Sequence, residues 1–100
     1  MTRRQPEACR SMEELRVEID RLDRELVRLL AERSRYIARA VALKSREGLP
    51  ARIDERVEAV VVNVRREAER QGLDANLADK LWRAMMDEFI AYEEKRLHRK

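Results

Sequence analysis

The sequence predicts an all-α fold, and three observations carry that prediction. Apolar residues recur at helical spacing in three long runs, turn-forming residues are scarce, and the few Gly and Pro fall at or near the gaps between runs. Only 2 Gly and 2 Pro occur in 100 residues, against 44% apolar and 43% charged positions. Sheets need more turns than that supply allows, whereas abundant Leu, Ala, Glu and Arg suit long helices. The apolar residues are too many and too regularly spaced for a disordered chain. At this length the chain is one small domain at most.

Residues 1–10 read as a flexible tail ahead of a domain spanning 11–98. Ser11 opens "SMEE", a capping box in which the Ser11 hydroxyl and the Glu14 carboxylate each accept the other residue's backbone N–H. From Met12 the series Leu15, Ile19, Leu22, Leu26, Leu29, Leu30, Ile37, Ala40 and Val41 runs without Gly or Pro as far as "EGLP". That predicts one helix of about 34 residues, roughly 50 Å long. Such a helix exceeds the width of a domain this small and cannot bury its whole stripe on its own chain.

Gly48 and Pro50 end it. A second helix is predicted from about Asp54 to Arg70, with Ile53, Val57, Val60, Val61, Val64 and Ala68 on one side. The "VVV" run alone would suit a strand, but the three-and-four spacing continues past it. Gly72 is a helix stop and Asp74 an N-cap for a third helix from Ala75 to Leu97, with Leu81, Trp82, Met85, Met86, Phe89 and Ile90 on its apolar side. Three helices, one of them oversized, imply association. The expected arrangement is an intertwined twofold homodimer in which the long helices pair and each chain covers the other. A helical dimer without chemistry is the plainer alternative.

The 23 basic and 20 acidic residues alternate in sign along the helices, as in "VEIDRLDRELVR", which is the pattern of a solvated face. Nucleic-acid binding needs basic residues gathered on one face, and only the short ends "TRR" and "KRLHRK" resemble that. Cys9 is the only cysteine, so no internal disulfide forms and a reducing compartment is expected. The start "MTRRQPEACRS" lacks the apolar segment of a secretory signal, and no apolar run has membrane-spanning length. The cytoplasm is the expected address.

The stretch "LLAERSRYIARAVALK" carries the first functional signal. With Leu22 at zero and about 100° per residue, Arg33 lies about 20° and Lys44 about 40° away, inside the apolar stripe. Long cations rarely occupy a buried seam unless an anion meets them. Arg33 and Lys44 would stand about 16 Å apart along one helix and reach inwards from either end of a small anion. Arg16, about 25 Å before Arg33 and rotated by about 100°, can join them only from a second copy of the chain. Glu93 falls within the stripe of the third helix, and Arg56 borders that of the second. Taken singly, each is equally a snorkelling side chain or an inter-helix ion pair. As a set they outline a basic pocket suited to a small dicarboxylate.

Metal binding is not expected, because the one His, His98, and Cys9 have no ligand spacing. Nucleophilic catalysis lacks a Ser/His or Cys/His pair, and there is no Gly-rich phosphate loop. Any enzyme built on this chain is expected to work by binding and electrostatics rather than by covalent chemistry.

From about Met12 to Leu97 the chain resembles the all-helical (type II) class of chorismate mutases. The resemblance rests on "LRVEIDRLDRELVRLLAERSRYIARAVALK", on "DERV" and on "GLDANLADKLWRAMMDEFIAYE". It implies a homodimer with two shared sites that converts chorismate to prephenate by a [3,3] rearrangement, with no cofactor and no covalent intermediate. It also implies that Arg16 of one protomer, with Arg33 and Arg56 of the other, holds the two carboxylates, for which guanidinium groups are well shaped. Lys44 would donate to the ether oxygen of the breaking bond, helped by the position of Glu93. Ile53, Val57 and Phe89 would line the rest of the substrate pocket.

Well-studied enterobacterial members carry Gln where this chain has Glu93, Asp where it has Ile53, Glu where it has Val57 and Ser where it has Phe89. The ring-hydroxyl end is therefore expected to be apolar here. Helical isochorismate-pyruvate lyases, which form salicylate, also lack those acids and share "ERV" at Glu55–Val57, which makes lyase activity the alternative. Near the ether oxygen an ionised Glu93 would repel developing negative charge, whereas the protonated acid could donate a hydrogen bond. Activity is therefore expected to decline as pH rises, and Glu93→Gln to flatten the profile.

Overall fold

The computed structural model describes residues 3–97, and among them there are three α-helices and no strand. They are α1 (Met12–Glu47), α2 (Asp54–Gln71) and α3 (Ala75–Leu97). The all-α prediction holds, and α3 begins at Ala75 as predicted. His98, cited above against metal binding, lies outside the described residues.

Local chemistry sets the ends of the helices. Ser11 accepts the N–H of Glu14 at 3.1 Å, as a capping box requires, but the Glu14 carboxylate takes the N–H of Arg10 at 2.9 Å instead of that of Ser11. The reciprocal bond is thus displaced by one residue. Just before it, within the stretch read as a flexible tail, Pro6–Ala8 form a 3-10 turn.

Both Gly residues sit just past a helix in the left-handed region, Gly48 at φ 70° and Gly72 at φ 78°. In each case the N–H of the next residue reaches back five positions: Leu49 donates to the Lys44 carbonyl and Leu73 to the Ala68 carbonyl, both at 2.8 Å. This is the Schellman closure, and it needs a residue that tolerates positive φ. Asp74 caps α3 as predicted, its carboxylate accepting the N–H groups of Asn76 and Leu77 at 2.7 and 3.2 Å.

The chain forms two compact units, one through Arg35 and one from Tyr36 onward. The first holds the N-terminal part of α1, and no residue anywhere on α1 is buried. Ile19, Leu22, Leu26, Leu29 and Leu30 are all exposed, so the stripe predicted to exceed what one chain can cover is uncovered in one chain.

The second unit contains a small core. Ala51, Val61, Met86 and Ile90 are buried, with Val57, Val60, Trp82 and Leu97 packed against them. Here α2 lies along α3. Leu81, placed by spacing on the apolar side of α3, is 54% exposed, because that stripe is wider than α2 can cover. Among the described residues no helix is long and apolar enough to cross a membrane.

A second tie between α2 and α3 is ionic. Arg83 of α3 donates both terminal nitrogens to Glu58 at 2.9 Å and its Nε to Asp79 at 2.7 Å. Arg65 of α2 reaches the other Asp79 oxygen at 3.0 Å and Asn76 at 3.0 Å. These contacts fix how α2 and α3 register against each other.

Candidate active site

The best-defined polar feature of the second unit is built on Lys44 and Glu93. Lys44 lies in the last turn of α1, where a cation is favoured by the helix dipole. From there its ammonium donates to the Ala51 carbonyl at 2.6 Å and meets Glu93 Oε1 at 2.8 Å. The Glu93 contact lacks hydrogen-bond alignment and is an ion pair held mainly by Coulomb attraction. The Glu93 side chain keeps 4% of its exposure and that of Lys44 keeps 20%.

The inter-helix ion pair that each charge allowed singly is therefore the arrangement these two adopt. An ammonium has three protons to donate. With one on Ala51 and the Glu93 contact beside it, donor capacity remains for an anion or an ether oxygen. A nearly buried carboxylate next to a partly open ammonium is costly to assemble for stability alone.

The other predicted site residues belong to the same unit as this pair or to the other unit. Ile53 is half-buried and stands at the N-cap of α2 in extended conformation, at φ −122°. Its carbonyl accepts the N–H groups of Arg56 and Val57 at 3.0 Å. Arg56 is exposed. Val57 is half-buried and packs against the core cluster. Phe89, one turn before Glu93 on the same face of α3, is half-buried. Arg16, which is exposed, and Arg33, which is half-buried, belong to the first unit.

Two features of the site escaped the sequence reading. One is the Ala51 carbonyl, since a backbone acceptor has no signature in residue types. The other is Arg52, whose guanidinium donates to Asp87 of α3 at 2.8 Å. That side-chain hydrogen bond is the main reason the Arg52 pKa is raised above the ordinary arginine value. Charges this common on exposed helix faces gave no reason to pair these two in advance. Among the described residues no three His, Cys, Asp or Glu side chains gather as a metal site would require.

The profile of the family described as chorismate mutase type II matches residues 15–94. The chain belongs to that family. Among curated relatives, the T-protein of Haemophilus influenzae is 39% identical over 83 residues, which is 83% of this chain and 22% of the relative. The isochorismate pyruvate lyase of Pseudomonas aeruginosa is 36% identical over 87 residues, covering 86% of this chain and 84% of the lyase. The bifunctional chorismate mutase/prephenate dehydratase of Aquifex aeolicus is 47% identical over 45 residues, 12% of its length. The chain thus spans about a fifth of the T-protein but most of the lyase. No solved structure matches. The matched span of this chorismate mutase type II chain takes in Arg16, Arg33, Lys44, Arg56 and Glu93.

Proposed function

We propose that the protein is a chorismate mutase, rearranging chorismate to prephenate in a cytoplasmic, cofactor-free homodimer. The observation that carries this reading is the Lys44–Glu93 pair at 2.8 Å, nearly buried on the Glu93 side, within a chain of the chorismate mutase type II family.

In the rearrangement one ether C–O bond breaks as one C–C bond forms, and negative charge builds on the ether oxygen in the transition state. A donor aimed at that oxygen lowers the barrier because it interacts more strongly with the transition state than with the substrate. Lys44 is that donor. By the family resemblance, Arg16 of one protomer with Arg33 and Arg56 of the other hold the two carboxylates. The extended arm of the substrate is thereby held folded over the ring. Ile53, Val57 and Phe89 form the apolar side of the pocket. Glu93, in contact with the Lys44 ammonium at 2.8 Å, helps to direct it towards that oxygen.

The runner-up is isochorismate-pyruvate lyase activity, favoured by the relative whose length this chain nearly matches. Incubating the pure protein separately with chorismate and isochorismate, with products identified by mass spectrometry, distinguishes the two. Prephenate from chorismate is the expected product. Salicylate and pyruvate from isochorismate, with chorismate untouched, would transfer the assignment to the lyase. Turnover of neither would leave a non-catalytic helical dimer. Lys44→Ala is expected to remove most turnover while helix content by circular dichroism stays largely intact.

A further inference from the structure

The segment between α1 and α2, residues 48–53, touches the rest of its unit at three consecutive levels. Lys44 holds the Ala51 carbonyl at 2.6 Å, the Ala51 methyl is buried with Val61, Met86 and Ile90, and Arg52 meets Asp87 at 2.8 Å. The segment's contacts on α3 come from Met86, Asp87 and Ile90, about one turn of the helix, and Glu93 one turn further on meets Lys44. The segment also borders an open cavity of about 500 Å³, where Lys44, Pro50, Ala51, Arg52 and Glu94 contribute to the lining. The segment therefore has room to shift away from the core, and the Arg52–Asp87 pair opposes that shift.

From this arrangement we infer that Arg52 and Asp87 form a latch that positions Lys44 through the Ala51 carbonyl. The inference rests on the assignment of Lys44 as the donor to the reacting oxygen, and neither latch residue touches substrate. When the latch is closed, the carbonyl of Ala51 stands where it and Glu93 together fix the direction of the ammonium. With the latch open the carbonyl drifts, and the ammonium follows it or swings towards Glu93 alone. A misdirected donor weakens the transition state more than the bound substrate, so kcat falls while KM changes little. Both side chains are well exposed, at 44% and 64%, and exposed ion pairs are weak and screened by salt. The latch is thus a modest trim on the rate and not a switch. Arg52 also lies near Asp54 and Glu94, which is why removing one partner alone does not define its role.

The test uses the full chain and four variants: Arg52→Gln, Asp87→Asn, the reversed pair Arg52→Asp with Asp87→Arg, and Lys44→Gln as reference. On whichever of chorismate or isochorismate the wild type turns over, each single variant is expected to lose about two- to fivefold in kcat with KM within about twofold. The reversed pair is expected to regain most of that loss. Independently of turnover, the 15N–1H signal of the Lys44 ammonium, assigned by its disappearance in Lys44→Gln, is expected to broaden in Asp87→Asn and to sharpen again in the reversed pair.

An ammonium signal unchanged by Asp87→Asn would overturn the latch, whether or not the protein is active. So would single variants with wild-type kcat, or losses that charge reversal does not rescue. Full turnover by Lys44→Gln would instead overturn the role of Lys44, a failure distinct from that of the latch.

Discussion

Among individual residues, Lys44 and Glu93 matter most, and the environment of the pair gives two expectations with different readouts. Removing one member of a nearly buried pair strands the other charge, which costs several kcal/mol, whereas replacing both with apolar groups of similar size is close to neutral. Because Lys44 keeps 20% exposure, Lys44→Ala is expected at the low end, about 3 kcal/mol less stable by urea denaturation. Lys44→Met combined with Glu93→Leu should recover most of that. The second expectation concerns turnover. Glu93→Gln, which keeps the side chain's length and removes its charge, is expected to keep turnover and to lose the decline with rising pH expected from the sequence. A pH–rate profile of wild type that is itself flat would remove the acid role while leaving the ion pair intact.

Where the elements are concerned, the α2–α3 pairing combines an apolar core with the Glu58–Arg83–Asp79–Arg65 network. The hydrogen bond from Arg83 holds the carboxyls of Glu58 and Asp79 below their ordinary values, and Arg65 adds to the effect on Asp79. A carboxyl depressed in the folded state contributes stability that is present above its unfolded value and lost as pH falls through the folded one. The helical signal is therefore expected to melt at lower temperature as pH drops below about 4. Arg83→Gln, which cuts three of the contacts, should shrink that dependence. Thermal melts followed by circular dichroism between pH 7 and pH 3 check both. The elements themselves were largely legible in sequence, because the signals for α3 are covalently local: Asp74 caps it, and Gly72 is one of two residues at positive φ among the described residues. The charge pairings were not legible. With 43% of positions charged, many partners satisfy i to i+4 spacing, and only the packing of α2 on α3 selects Arg83 for Glu58 or Arg52 for Asp87. Glu93 was legible as an anomaly, a carboxylate in an apolar stripe, and its place near Lys44 followed from the family resemblance, whereas the Ala51 carbonyl on the same ammonium became visible only once residues 48–53 had folded back over Lys44.

For the molecule as a whole, the uncovered stripe of α1 becomes decisive. Leu22, Leu26, Leu29 and Leu30 each expose between 43% and 56% of their surface, and covering a Leu that is half open is worth on the order of 1 kcal/mol. Several such residues in register on one helix face, repeated on a second copy by a twofold axis, are sufficient to drive dimerisation. We therefore expect a dimer at micromolar concentration by sedimentation equilibrium, and Leu26→Asp should shift it to monomer with loss of activity. The stronger test is complementation, because it reports on the site as well as the interface. Arg16→Ala and Arg33→Ala are each expected to be inactive. If Arg16 of one protomer serves the site that holds Arg33 of the other, a hybrid of the two variants keeps one site with both arginines intact and one with neither. Random exchange in an equimolar mixture makes half of the dimers hybrid, so turnover should return to about a quarter of the wild-type level. A site drawn from a single chain gives no recovery under the same mixing, since every copy then carries one defect. Subunit exchange confirmed by native mass spectrometry, with turnover still absent, would separate the two arrangements in favour of the latter.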